Sequence, residues 1–241
     1  QSGYDLSAGS DNNTGIGHDA LSGTHGSGAS EKNTAIGSGS MVGAIDGAAH
    51  NTAVGYNTLA AVTSGDNNVA VGSGSLTTDT VGSNSTAVGA YALNEYTKAG
   101  TGSGAAHNTA IGASAMRYID HANAVQNTAV GSGALQGANA DGNDGANNVA
   151  VGYNSLNAIT DGDNNVALGV NALDALTTTN NMVAIGYNAG TAVDHAGAEG
   201  GTFVGYKAGE AVSSGGHNTA LGYEALKTVT SSSHNTAIGS N

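Results

Sequence analysis

A five-residue word that always closes on glycine returns thirteen times along this chain. The closing positions are Gly17, Gly37, Gly55, Gly72, Gly89, Gly112, Gly131, Gly152, Gly169, Gly186, Gly205, Gly222 and Gly239, spaced 17 to 23 residues apart and most often 17. A period of that length, sustained from one end to the other, is the mark of a solenoid. Each repeat is one coil that cannot bury its apolar face alone and must stack on its neighbours.

The word itself reads as a short β-strand. The residue before each Gly is aliphatic, as in Ile16, Val54, Ile111 and Leu168, and the residue two further back is always Thr or Val. Between them stands Ala in eleven of thirteen repeats, the exceptions being Gly15 and Phe203. Alternation with period two in strand-favouring residues puts the β-branched and aliphatic side chains on one side and Ala on the other. A small side chain repeated at one site lets another layer or chain approach the backbone closely, so the Ala face is expected to lie against such a neighbour.

Four residues before the Gly stands Asn in ten repeats, with Ser85, Met182 and Gly201 breaking the column. Stacked Asn can form amide ladders along a parallel stack, or can serve only for its turn propensity. The repeat Gly fits a corner that requires positive φ or close packing. Beyond it, the third residue is small and the fourth is Leu or Met in ten of twelve repeats, with Gly190 and Gly209 the exceptions. A further apolar residue often follows three later, as Val62, Ile159, Leu176, Val193, Val212 and Val229. That spacing fits neither alternation nor a helix able to stand alone, and a bent second strand or a single helical turn is expected there.

Composition limits what holds this together. With 40 Gly, no Pro, Cys or Trp and one Phe in 241 residues, each coil has only about three or four sizeable apolar side chains against an ordering cost of about 1.5 kcal/mol per residue. A ribbon so thin calls for burial of a second face against identical chains, and a homotrimer is expected. A formal charge of −13, with Lys32, Lys98, Arg117, Lys207 and Lys227 as scattered cations, argues against a nucleic-acid partner. No stretch has the length of a membrane-spanning helix, so no membrane insertion is expected from this segment. The chain opens on Gln1 without a signal-peptide pattern, which reads as a fragment or a processed product. Residues 1–10 read as a lead-in or cap and 11–241 as one repeat domain.

The strings NNVAVG at Asn67 to Gly72 and Asn147 to Gly152, and NTAVG at Asn51 to Gly55, resemble the head repeats of trimeric autotransporter adhesins. The longer forms NTAVGYNTL at Asn51 to Leu59 and NTALGYEAL at Asn218 to Leu226 are more similar to the repeat arrays of phage tail fibres. The resemblance covers residues 11 to 241. It implies an all-β fold, a left-handed parallel β-roll of about thirteen coils assembled from three chains, exposed outside a cell or on a virion and serving attachment. The uneven spacing departs from the shorter, uniform coil of adhesin heads, and neither a coiled-coil stalk nor an anchor is present in these residues.

Candidate binding positions follow from the irregularities. The longest insertions are Asn94 to Ala106, Gln136 to Ala146 and Ser22 to Glu31, and insertions in repeat proteins gather on one face. Tyr96, Lys98, Arg117 and Tyr118 lie near the longest, as candidate contacts to a host glycan or surface protein; the same loops also read as solvated Gly/Ser/Asp segments. Tyr56, Tyr153, Tyr187, Tyr206 and Tyr223 follow the repeat Gly directly, a column suited either to stacking on sugar rings or to packing on the next rung. His50, His107, His217 and His234 share the position five before the Gly and would ring a threefold axis with imidazoles if they faced it, but Asn, Lys32 and Gln126 fill that site elsewhere, as at a generic polar turn. Asp141, Asp144, Asp161 and Asp163 lack the spacing of known calcium loops. No catalytic, metal or cofactor residue is assigned, and no cofactor is expected. A structural and adhesive fibre segment is therefore the leading function. A polysaccharide-degrading fibre enzyme lacks a distinguished carboxylate pair, and an ice-binding solenoid is weakened by Val69, Val149, Val166 and Val183 in the Thr column.

Overall fold

The computed structural model describes residues 10–23, 27–95, 106–119, 123–138, 143–194 and 196–241. The expected lead-in falls almost wholly outside these residues. Every repeat word forms a three-residue strand: β1 (Thr14–Ile16), β2 (Thr34–Ile36), β3 (Thr52–Val54), β4 (Val69–Val71), β5 (Thr86–Val88), β6 (Thr109–Ile111), β7 (Thr128–Val130), β8 (Val149–Val151), β9 (Val166–Leu168), β10 (Val183–Ile185), β11 (Thr202–Val204), β12 (Thr219–Leu221) and β13 (Thr236–Ile238). They make one parallel sheet in chain order, β1 beside β2 through to β13. The register is repeat on repeat: Thr109 faces Thr128, Ala110 faces Ala129 and Ile111 faces Val130. The chain is a parallel β-solenoid of about twelve turns, and twelve steps of about 4.8 Å make it roughly 60 Å long.

Hydrogen bonding between coils does not stop where the strands end. Between the eighth and ninth coils, Val149 N donates to Asn165 O (2.8 Å), Gly169 N to Val151 O (2.8 Å), Asn171 N to Tyr153 O (3.0 Å), Leu156 N to Ala172 O (3.0 Å), Thr160 N to Thr177 O (2.9 Å) and Asn164 N to Ala146 O (3.1 Å). Backbone groups that would be orphaned in a thin ribbon are thereby paired around the whole circuit.

The half-coil after the Gly is neither the bent strand nor the helical turn expected from its spacing. It is a run of turns in which the second and fourth residues after the Gly take left-handed conformations, such as Asn154 (φ 52°) and Leu156 (φ 48°). Periodicity could not reveal this, because left-handed Leu is costly by roughly 1–2 kcal/mol in isolation. The conformation turns the Leu side chain inward, where Leu59, Leu76, Leu93, Leu135 and Leu156 are fully buried. That burial offsets the cost at about 1.5–3 kcal/mol for each side chain.

The Ala column also lies inside. Ala35, Ala53, Ala70, Ala110, Ala150 and Ala167 are completely buried, and they form one cluster with the Leu and Met column and with Val62, Ile119, Ile159, Leu176, Val193 and Val212. The layer that Ala admits is thus the opposite wall of its own coil, so one chain has a narrow but closed interior. The β-branched and aliphatic residues of each strand point outward. Among the described residues there is no helix long and apolar enough to cross a membrane.

Candidate functional site

The repeat Gly is required for two independent reasons. All thirteen have φ between 123° and 139°, and at every one except Gly239 a β-carbon would come within 3 Å of the carbonyl group of the Gly in the next coil. The column is a corner where successive backbones touch, which only Gly permits.

The Asn column is a ladder that also ties down a corner. Asn148 N donates to Asn127 Oδ1 (2.8 Å), Asn148 Oδ1 accepts from Asn165 N (2.9 Å), and Asn148 Nδ2 donates to Gly162 O (2.8 Å). The same pattern runs from Asn33 to Asn51 to Asn68. These side chains are fully buried, and each amide satisfies backbone groups that would otherwise be desolvated without partners.

Three surfaces face solvent. The first is the outer face of the sheet, where the aliphatic residue before each Gly reaches solvent: Ile111 is 41% exposed, Leu168 44% and Leu221 47%, whereas the Val members of the column and Ile185 are half-buried. Thr or Val lies beside it in every coil, so an apolar row runs the length of the solenoid.

The second is the tyrosine column. Tyr187, Tyr206 and Tyr223 occupy three successive coils and stack face to face, with ring centres 5.4 and 5.1 Å apart and planes within 11°. Their faces are largely taken up by one another, and the outer edges meet water. Tyr56 and Tyr153 are also exposed, but Ser73 and Val170 occupy the same position in the coils that follow. Beside the stack, Lys207 pairs with Glu210 and Lys227 with Glu224, each at 2.8 Å. The hydrogen bond to Glu210 raises the Lys207 pKa, and the one to Lys227 lowers that of Glu224.

The third surrounds Arg117. Its guanidinium carbon lies 4.9 Å from the ring centres of both Tyr91 and Tyr118. Arg117 Nε is buried and has no hydrogen-bond partner. Among the described cations, Lys32, Lys207 and Lys227 each have a carboxylate within 4 Å, and Arg117 has none. Asn94, Gln136 and Asn157 hold the same repeat position as Arg117 in the fifth, seventh and eighth coils, so the guanidinium stands in a row of amides. Asn157 Nδ2 donates to Gln136 Oε1 (3.0 Å), and Asn94 Nδ2 to Gly74 O (2.8 Å). Of the four candidate contacts read from the sequence, Arg117 and Tyr118 come together here, while Tyr96 and Lys98 lie outside the described residues. Tyr91 went unremarked in that reading. The signal for it was an aromatic at the left-handed position, where Asn or Gly is common.

The histidines follow the generic turn reading in their backbone. His50, His107, His217 and His234 are exposed, with φ between 52° and 61°, as is Asn147 at the equivalent site. His217 and His234 lie against each other with ring centres 5.2 Å apart. Among the described residues no three His, Cys, Asp or Glu side chains are grouped so as to hold a metal ion. Of the acidic loop residues, Asp163 spends its Oδ1 on Ala146 N (2.8 Å), and Asp141 lies outside the described residues. No family model matches the chain, and no curated protein matches it.

Proposed function

We propose that this chain is a structural and adhesive segment of an extracellular fibre, a left-handed β-roll that assembles with two identical copies and contributes to attachment of a phage tail fibre or a bacterial surface adhesin. The observation that carries the reading is the aliphatic row on the outer face of the sheet, from Ile16 to Ile238, whose members are exposed or half-buried on a single chain. A contiguous apolar strip of this length on an acidic protein fits burial against other protein. Three copies with this face turned to a common axis would bury the row once per coil and add an apolar layer to the thin interior of each chain. The resemblance of the NTAVGY and NNVAVG words to adhesin-head and tail-fibre repeats supports the same assembly. The role calls for neither catalysis nor a cofactor.

Sedimentation equilibrium of the chain tests the assembly. Three times the 23.1 kDa of one chain is the expected mass, and a stable single chain at micromolar concentration would overturn it.

A second reading has one observation in its favour. The Thr and Val column also points outward, in register from coil to coil, and regular Thr ranks suit ice binding. The fully aliphatic companion column favours protein over ice as the covering partner. Thermal hysteresis in dilute solution would favour the ice reading.

A further inference from the structure

We infer that the surface centred on Arg117 is a binding site for an acidic saccharide, a chain of sugars bearing carboxylate groups. The inference rests on the adhesive reading and gives it a ligand class.

Three features converge. Arg117 is the described cation without an acid of its own, in a chain with a formal charge of −13. A folded acidic protein readily offers a surface guanidinium a carboxylate, yet this one is held between two phenol rings at 4.9 Å each. Its Nε is covered and unpartnered, so the Nη groups are the donors left to meet a ligand. Pinned by Tyr91 and Tyr118, the guanidinium is pre-organised, and the planar fork of its Nη groups is suited to a carboxylate taken up bidentately.

The surroundings select a sugar over a small anion. Asn94, Gln136 and Asn157 flank Arg117 along the fibre, one to a coil at the same repeat position. The Asn94 and Asn157 amide nitrogens donate to protein oxygens, which leaves their Oδ1 atoms to accept from hydroxyls and the Gln136 Nε2 to donate to them. Tyr91 is 45% exposed, and its ring provides an apolar edge for sugar C–H groups. The strip is linear, with its side chains half-buried, and it ends at Asp174 in the ninth coil, so an acidic chain would be held between the fifth and eighth coils. The tyrosine stack at Tyr187, Tyr206 and Tyr223 does not match it, since its rings cover one another and its charged neighbours are already paired.

The test uses the full chain and trigalacturonate, with the trimethyl ester of the same trisaccharide as the uncharged control, read by titration calorimetry and saturation-transfer NMR. The acid is expected to bind and the ester not to. Arg117→Gln is expected to weaken binding by about tenfold or more, the scale of a lost charge-assisted hydrogen bond, with circular dichroism unchanged. Tyr118→Ala, which unpins the guanidinium, is expected to weaken it less. Absence of binding to the acid, equal binding to the ester, or an Arg117→Gln variant that binds as the parent does would each overturn the site. The adhesive reading fails separately: it falls if the assembled fibre does not attach to any surface, and it stands if attachment persists without uronate binding.

Discussion

Phe203 occupies the interior space that Gly209 leaves empty. A β-carbon at Gly209 would stand 2.5 Å from Phe203 Cδ1, and one at Gly190 would lie 2.9 Å from Phe203 Cδ2. Phe203 holds the position of the interior Ala, while Gly190 and Gly209 hold that of the interior Leu, so the volume removed from one column returns from the other. Met182 and Gly201 complete the patch. Gly201 N donates to Met182 Sδ (3.2 Å) in the place where Asn would pair with Asn.

Exchange of volume between facing columns has a thermodynamic signature. Phe203→Ala alone opens a cavity and is expected to cost about 3–5 kcal/mol, and Gly209→Leu alone drives a side chain into the ring. Combining Phe203→Ala with Gly209→Leu is expected to recover a large part of the loss, with a favourable coupling of about 0.5–3 kcal/mol in urea unfolding. Strictly additive losses would mean that the two residues do not share one space.

Much of the fold was legible in the sequence, because the solenoid writes each coil in the same letters. Strand position, parallel register and the division of each strand into two faces follow from alternation repeated coil after coil; that the Ala face meets the wall of its own coil rather than another chain does not. The five departures at Met182, Gly190, Gly201, Phe203 and Gly209 looked like separate exceptions to three columns. Their unity depends on which columns face each other across the interior, and a linear period does not say. The left-handed half-coil was hidden for a similar reason: φ at Leu156 is set by stacking on neighbouring coils against its own preference. At the candidate site, Arg117 and Tyr118 stood out by proximity to an insertion. Tyr91, twenty-six residues before Arg117, joins them only through the stacking of the fifth coil on the sixth.

The Asn ladder makes a second prediction. Asn148→Ala would leave Asn165 N and Gly162 O buried without these partners. The expected loss is about 2–6 kcal/mol, from two desolvated groups at about 1–3 kcal/mol each. Amide hydrogen exchange should accelerate first at Asn165. Unchanged exchange there would reduce the Asn to a turn former.

The Gly corner is testable against its own control. Gly131→Ala places a β-carbon 2.5 Å from Gly152 O at φ 134°, whereas at Gly239 nothing stands within 4 Å. Gly131→Ala is expected to destabilise by on the order of 3 kcal/mol or more, through both strain and overlap. Gly239→Ala carries the strain alone and should cost distinctly less. Equal losses in thermal unfolding would assign the column to φ only.

Asp174 sets a pH dependence. Burial raises its carboxyl pKa above the ordinary 3.8, against smaller lowering by the backbone N–H groups of Asp174 and Ala175. A raised carboxyl pKa means that the charged form is penalised in the folded state. The penalty is absent below the unfolded value of 3.8, grows as pH rises through the folded value, and is complete above it. Asp174→Asn, which places here the amide that Asn94 and Asn157 have at the same repeat position, should raise Tm at pH 7 and change it little near pH 3. A gain that is the same at both pH values would show that the charge is not the cause.

The division between an interior closed within each chain and an outer row covered by identical chains is tested most directly with single cysteines, since the chain has none of its own. Ala110 and Ile111 are adjacent in β6, the first fully buried and the second 41% exposed on a lone chain. In the assembled protein, Ala110→Cys is expected to resist thiol reagents and to form no bridge. Ile111→Cys is expected to link copies covalently on mild oxidation, giving a band of two chains on a non-reducing gel. Free labelling of Ile111→Cys without any interchain product would contradict the account.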